Sequence, residues 1–247
     1  TYNSQSTFSG MFGLGFTQTF HRELYKVGDN IVLSENDGSI YKFKKESDNW
    51  VCDETKDYEL NENNGENIYK IKISKTETKE IILTHKYEIT TKDNTIYRFN
   101  EKGQLIVVTE PNETCIIYNY DNLGRLSKLT NSNGVEISLQ YKEGNDKNLL
   151  EKIVLPDGSV LKYDYSNGKL TKFTHLKNDN LICFDKVNYC FEYNTNNLLS
   201  GIKDAKGNLY SINYNSDKVS KVVYPNGENY NINYTNTITT STTKKNE

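Results

Sequence analysis

Three histidines, His21, His85 and His175, are the side chains best suited to proton transfer near neutral pH, and they stand far apart in the chain. No H-E-x-x-H, G-x-S-x-G or phosphate-loop pattern surrounds them, so the local templates for metallohydrolase, serine-hydrolase and nucleotide chemistry lack support. A Ser/His/Asp site assembled only in space is the remaining hydrolase alternative. The glycine-rich stretch Gly10–Gly15 is followed by no helix signal and does not read as a phosphate cradle. Cys52, Cys115, Cys183 and Cys190 form no C-x-x-C pair, so a structural zinc site is not expected. They read as free thiols, with a Cys183–Cys190 bridge as the alternative. Asp121, Asp157 and Asp204 are candidate loose calcium ligands, but each lies in a turn signal, where a carboxylate bonds the nearby backbone. Asn112-Glu113-Thr114 is a glycosylation sequon of a kind that also arises by chance. No catalytic residue, metal ligand or cofactor is assigned, and the chain is expected not to be an enzyme.

The elements that would position these side chains are written in the aromatic residues. The 247 residues include 19 Tyr and 9 Phe but only 1 Trp, 1 Met and 3 Pro. Tyrosine pairs an apolar ring with a polar tip, which suits a half-wet sheet face better than a dry helical core. Net charge is −3 without a basic stripe, so nucleic acid is not an expected partner. No run of about 18 apolar residues occurs, so insertion into a membrane is not expected either. The chain opens at Thr1 without a signal-peptide pattern and reads as a piece of a longer polypeptide.

Self-similarity organises the rest. Phe99, Tyr120, Tyr141, Tyr165, Tyr193, Tyr214 and Tyr234 recur at spacings of 21, 21, 24, 28, 21 and 20 residues. The run into each aromatic alternates: Val135, Ile137, Leu139 and Tyr141 share one parity, as do Val187, Tyr189, Phe191 and Tyr193, and Tyr230, Ile232 and Tyr234. Period-two alternation places one set on a buried face and its complement in water, which favours antiparallel pairing. A turn and an aliphatic follow, as in Gly103-Gln104-Leu105, Gly124-Arg125-Leu126 and Gly168-Lys169-Leu170. A second turn closes each unit, and Pro111, Pro156 and Pro225 all fall there, outside any ladder that would need their missing N–H.

The aliphatics after the first turn lie three apart (Leu105 and Val108, Leu126 and Leu129, Leu170 and Phe173, Leu199 and Ile202), which a regular strand would send to opposite faces. A β-bulge reconciles them, as does an aliphatic tucked in from the turn. Asp37-Gly38 and Asp93-Asn94 each precede aromatics and look like further units. Residues 44–67 are polar and Asn-rich and read as a long loop or a poorly paired hairpin. The division is then 1–11 as a linker, 12–92 as a β region leading into the repeats, 93–234 as the repeats, and 235–247 as a polar tail that frays or links onward.

The segment Tyr118-Asn119-Tyr120-Asp121-Asn122-Leu123-Gly124-Arg125-Leu126 closely resembles the YD repeat of the Rhs family. Tyr163-Asp164-Tyr165-Ser166-Asn167-Gly168-Lys169-Leu170 does too, and Phe191-Glu192-Tyr193-Asn194 more loosely. The resemblance spans roughly residues 12–234. It implies an all-β fold: an antiparallel sheet of tandem hairpins that curls or spirals as part of a hollow shell. Seven units supply about fourteen strands, more than a twisted open sheet usually keeps flat. Their equivalent aromatics would sit about 9.6 Å apart in one column. The sheet is expected to curl around the Phe-rich N-terminal segment. Family members enclose cargo or form surface barrels, so the implied partner is the rest of the parent chain or an encapsulated toxin domain, in a secreted or cell-surface, wall-associated protein. The aspartate-rich self-cleavage segment of bacterial members is missing from this sequence, so that activity is not carried over. The tyrosine column also admits a second reading, stacking on cell-wall glycan, against simple packing as the preferred one.

Overall fold

A computed structural model describes residues 2–3, 9–16, 22–52, 57–72, 76–177, 180–181, 188–234 and 239–244. His21, Cys183 and Val187 lie outside the described residues, and with them the Cys183–Cys190 bridge. The chain forms two compact units, one of residues 17–139 and one of residues 2–16 with 140–247, Thr1 going with the first. Both are antiparallel β, as the alternation demands.

The first unit opens with a four-stranded sheet: Glu23–Val27, Asn30–Ser34, Ile40–Glu46 and Asn49–Cys52. Its inner face buries Leu24, Ile31, Leu33 and Phe43. A long hairpin follows, Tyr58–Lys72 against Thr78–Thr91, then Ile96–Phe99, Leu105–Thr109, Cys115–Tyr120, Leu126–Asn131 and the start of Glu136–Tyr141. Of the two expectations for residues 44–67, the long hairpin removes the loop and improves on the poorly paired hairpin: pairing runs from Tyr58 opposite Thr91 to Lys72 opposite Thr78. Its Asn and Glu residues are tolerated because the partner strand is rich in Ile and Thr, and because Leu60, Tyr69 and Ile71 on one face are buried. Tyr69 and Ile71 join Val107, Cys115 and Ile117 in a single apolar cluster. The polar run is accommodated by one irregularity of register between Glu62 and Gly65.

The second unit carries Leu150–Val154, Val160–Ser166, Lys169–Lys177, Asn188–Tyr193, Leu199–Lys203, Leu209–Asn215, Lys218–Val223, Asn229–Tyr234 and Thr239–Lys244. Thr239–Lys244 pairs along all of Asn229–Tyr234, so this stretch of the Thr/Lys-rich end is a strand where fraying was expected. The N-terminal segment, with the small hairpin Ser9–Gly10/Gly13–Leu14, lies on one face of this unit. Phe12 packs on Tyr163 with ring centroids 5.0 Å apart, and Phe16 on Phe191 at 5.7 Å.

Ten of the turns among the described residues share one five-residue geometry. In each, the first residue's N–H donates to the carbonyl of the fifth and the fourth residue's N–H to the carbonyl of the first, as in Asp121 to Arg125 and Gly124 to Asp121. Where the first residue is Asn or Asp, its side chain accepts from backbone as well. Asp121 Oδ1 takes the N–H of Leu123 and of Arg125, both at 2.9 Å, and Asp204 Oδ1 those of Lys206 and Asn208 at 2.9 and 2.8 Å. Asp157, at the third position of its turn, takes the N–H and hydroxyl of Ser159. These carboxylates thus work as turn formers, and the Ser159 bonds draw the pKa of Asp157 down to about 2. Pro111, Pro156 and Pro225 occupy the second turn position, where no N–H is required.

The fourth turn residue has positive φ and is glycine at Gly38, Gly103, Gly124, Gly134, Gly158, Gly207 and Gly227, asparagine at Asn94 and Asn197, and glutamate at Glu113, with φ of 65°. A Cβ in the left-handed region is unfavourable by roughly 1–2 kcal/mol, part of which glycine's extra unfolded-state freedom gives back. Glu113→Gly is therefore expected to stabilise the chain by about 0.5–1 kcal/mol, read as a higher urea midpoint at unchanged m-value.

Candidate functional site

The aromatic column and its surroundings are built by a bulge that recurs in register. Phe99 faces Leu105, Tyr120 faces Leu126, Tyr165 faces Leu170, Tyr193 faces Leu199 and Tyr214 faces Val219. In each pair the register then slips by one residue, leaving Ile106, Ser127, Thr171, Ser200 and Ser220 unopposed. The extra residue turns an odd spacing into an even one, so Leu126 and Leu129 share a face although three positions separate them. Two bulge hydroxyls donate back across the ladder: Ser127 to the Asn119 carbonyl and Thr171 to the Asp164 carbonyl, both 3.1 Å.

The bulge also explains why the column is tyrosine. Tyr120 donates its hydroxyl to the carbonyl of Leu105 at 2.8 Å, Tyr193 to Leu170 at 2.8 Å and Tyr214 to Leu199 at 2.6 Å. Each acceptor is the bulge aliphatic of the preceding hairpin, so each ring reaches back and straps its own hairpin to the one before. At Tyr165 the insertion with the short 3-10 turn Gly144–Asp146 interrupts the pattern, and the N-terminal segment supplies the acceptor, the Met11 carbonyl at 3.2 Å. Phe99 begins the column, fully buried with no hydroxyl to place. Tyr141 ends Glu136–Tyr141 half-buried, and Tyr234 is 45% exposed. Burial, and to a lesser degree neighbouring charge, raises the hydroxyl pKa of Tyr165, Tyr193 and Tyr214 well above the ordinary phenol, so they remain donors at any physiological pH. Removing one donor leaves a shielded carbonyl unpaired. Tyr214→Phe is expected to be less stable by about 1–2 kcal/mol, whereas Tyr234→Phe should change stability by less than about 0.5 kcal/mol; chemical denaturation of both variants checks this.

Lysine heads lie over three of these rings, Lys142 on Tyr165 at 5.7 Å, Lys169 on Tyr193 at 5.5 Å and Lys218 on Tyr234 at 5.2 Å. Of the repeat turns named from sequence, Gly103 and Gly124 belong to the five-residue type, while Gly168 sits with Asn167 in a two-residue turn, both at positive φ, between paired Ser166 and Lys169. Gln104 Nε2 donates to the Gly124 carbonyl at 2.8 Å, and Lys169 Nζ to Asn197 Oδ1, linking turns of neighbouring hairpins.

Three polar clusters were not visible in the sequence. Arg22 Nε meets Glu35 Oε2 at 2.7 Å, the Tyr58 hydroxyl donates to Glu35 Oε1 at 3.1 Å, and the Arg22 guanidinium stacks 3.7 Å above Tyr97. Glu35 is 5% exposed. Burial, and then the charge of Glu35, raises the Tyr58 pKa.

His85, 6% exposed, has Nδ1 3.3 Å from Asn67 Nδ2 and Nε2 3.9 Å from Glu88 Oε2. Arg98 Nε approaches that same Glu88 oxygen at 2.8 Å while its Nη1 donates to the hydroxyls of Tyr69 and Thr109. Gly65 lies against the imidazole, where a Cβ would come 2.5 Å from Cε1. The ring forms part of the wall of a cleft of about 720 Å³ with Glu66, Thr84, Lys86 and Lys102. Burial first, and then the Arg98 charge, lower the His85 pKa, with Glu88 opposing. The unfolded chain thus takes up the proton before the folded one does, so stability is full above the unfolded value of about 6.5 and declines as pH falls below it. Urea midpoints at pH 7.5, 6.5 and 5.5 should fall in that order, by at most about 1.4 kcal/mol per pH unit, and His85→Gln should flatten the trend.

The third cluster bears on hydrolysis. His175 Nε2 is 3.1 Å from Ser159 Oγ, and that hydroxyl donates to Asp157 Oδ1 at 2.6 Å. The residue types are those of a nucleophilic triad, but the order is not. A triad carboxylate orients the histidine, whereas this one holds the serine, whose residue is 1% exposed at the foot of a turn. The arrangement fixes a turn and presents no nucleophile. Cys115 is a buried free thiol and Cys190 an exposed one, and Cys52 is buried. Among the described residues no three His, Cys, Asp or Glu side chains gather as metal ligands, and no helix is long and apolar enough to cross a membrane.

Recurrent hairpins, a register-keeping bulge and a hydroxyl strap define a tandem β-hairpin repeat protein. Residues 99–136 match the family described as RHS Repeat. No curated protein matches the sequence. Among solved structures the chain is similar to the crystal structure of TcdB2-TccC3-Cdc42, with a TM-score of 0.41 and 10% identity, covering 83% of this chain and 14% of that one. It is similar to a Tc holotoxin pore of Photorhabdus luminescens, with a TM-score of 0.41 and 8% identity, covering 87% of this chain and 15% of that one. A porin-like protein from Bacteroides uniformis gives a TM-score of 0.35 and 14% identity, covering 90% of this chain and 91% of that one. The chain spans about one seventh of the length of the two toxin-complex chains.

Proposed function

We propose that the chain is a non-catalytic wall segment: a structural Rhs-repeat module of a secreted or cell-surface protein that scaffolds or encloses a partner. That partner is the rest of the parent polypeptide or a toxin-type domain within it. The observation that carries this reading is the tyrosine strap. A hairpin array in which Tyr120, Tyr193 and Tyr214 each bond the hairpin before can be extended unit by unit while keeping an apolar face on one side. In this reading residues 93–234 are the repeating wall and residues 12–92 its lead-in. Limited proteolysis of the natural full-length polypeptide is the test. A flanking segment that stays uncut there, at a protease dose that digests the same segment alone, supports enclosure. Equal rates of cutting sink it.

Exposed rings favour a second reading, in which the module binds cell-wall glycan. Tyr189, Tyr224 and Tyr234 are 38%, 39% and 45% exposed, enough ring face for a sugar to stack. Saturable co-sedimentation with isolated cell wall, competed by soluble glycan and weakened by Tyr189→Ala or Tyr224→Ala, would support it. Sedimentation unaffected by these changes would leave it without support.

A further inference from the structure

Among the described residues, the apolar face of the second unit is buried over part of its length and only half-buried over the rest. Across its strands the side chains of one parity line up in rows: Tyr163 opposite Phe173, Phe173 opposite Tyr189, Phe191 opposite Ile202, Ile202 opposite Tyr210, Ile212 opposite Val222, and Val222 opposite Tyr230. The near part of this face is covered by the N-terminal segment. Phe12 sits on Tyr163, Phe16 on Phe191, and the Tyr2 hydroxyl accepts the Leu199 N–H at 3.1 Å. Under that cover Tyr163 is 8% exposed, Leu170 4% and Leu199 1%. Beyond Leu199 no apolar side chain among the described residues is buried, although Tyr210, Ile212, Val222 and Ile232 continue the same face.

We infer that the half-buried face of Leu209–Asn215, Lys218–Val223 and Asn229–Tyr234 is a docking surface for a second extended peptide segment bearing aromatic residues a few positions apart. The face is continuous with one that already holds such a segment. The covering strip shows the chemistry that fits: rings at Phe12 and Phe16 enter between the rows, and Gly13 and Gly15, both at positive φ, let the backbone lie close. At Gly13 a Cβ would stand 2.5 Å from the Gly168 carbonyl oxygen, so the segment touches the sheet through its backbone as well as its rings. Lys218 places its ammonium 5.2 Å over the Tyr234 ring at the end of these rows, and the other side chains of the face are Tyr, Ile and Val, so the fitting occupant is apolar and aromatic rather than basic. The inference deepens the enclosure reading by naming what the inner face holds.

The probe is a synthetic peptide with the sequence of Ser9–Phe16, carrying a photo-reactive benzoyl group on the ring at the position of Phe12. It is added to the full 247-residue chain, whose own N-terminal segment is in place. The expected result is saturable cross-linking to residues between Leu209 and Tyr234. Binding should weaken at least tenfold when both peptide phenylalanines are alanine, and likewise in an Ile212→Glu chain. Circular dichroism shows whether that variant is folded, and the cross-link map of the unchanged chain decides the matter without it. Three outcomes overturn the inference: no saturable cross-linking, cross-links confined to the strip that already holds Phe12 and Phe16, or a dimer in light scattering whose contact excludes the peptide. The last would make a second copy the occupant. Failure here leaves the proteolysis test of enclosure intact, since that test reads a flanking segment and not this strip.

Discussion

Gly103→Ala is expected to cost at least about 3 kcal/mol, enough to leave much of the first unit unfolded at moderate urea. Gly103 has φ of +79°, and a Cβ built on it would fall 1.8 Å from the carbonyl oxygen of Leu24 and 2.8 Å from its carbon. Both obstacles are backbone, so no side chain can rotate away. The Leu24 N–H donates to the Gly103 carbonyl at 2.9 Å, and Glu23 bridges Gln104 beside it, which is how the small four-stranded sheet is tied to the first repeat turn. Relieving the overlap means parting these two backbones and uncovering Leu24, Phe99 and Leu105, all at 2% exposure or less. Gly158→Ala is the control. Its φ is also +79°, but a Cβ there meets nothing within 4 Å, so only the left-handed backbone penalty of about 1 kcal/mol is expected. Equal losses for the two variants, by equilibrium denaturation, would show that close approach is not what fixes glycine at Gly103.

Arg22→Ala should be the second large effect, about 3–5 kcal/mol. The substitution takes the counter-charge from Glu35, whose side chain is only 6% exposed, and removes the guanidinium stacked on Tyr97. A buried carboxylate left alone must stay charged in a poor solvent or take up a proton, and either is unfavourable. Most of the loss is therefore the stranding of Glu35 and not the worth of the pair. Arg22→Met combined with Glu35→Gln removes both charges while keeping an acceptor for the Tyr58 hydroxyl. The double variant is expected to recover more than half of the single variant's loss. A double variant as unstable as Arg22→Ala would mean that packing, and not charge, dominates.

These effects fall where sequence reading is weakest, and the reason is physical. Alternation along a strand and punctuation between strands are local properties, set by the two-residue period of the pleat and by the backbone needs of tight turns. The repeat aromatics, the prolines and the turn carboxylates could therefore be placed without coordinates. The odd spacing of Leu126 and Leu129 likewise announced an irregularity, a bulge or an aliphatic tucked in from the turn, because no regular strand puts both on one face, and the pairing shows the bulge. The first strand of the long hairpin from Tyr58 to Thr91 was left between a loop and a poorly paired hairpin. Asn and Glu look like loop in isolation, and only the partner strand makes them half of a sheet.

What the sequence determined by itself is the repeating unit: the hairpin, its turn and the face on which each aromatic stands. The tertiary structure alone decided what those units meet. It gave the tyrosine hydroxyls their acceptors, since a carbonyl in the previous hairpin is 15 to 23 residues away in sequence and carries no local signature. It brought Arg22 to Glu35, His85 to Arg98 and Ser159 to His175, and it laid Phe12 on Tyr163. Side-chain identity fixes what a group needs from its neighbours, whereas which neighbours it finds depends on how the strands pair and pack, and that is a property of the whole chain.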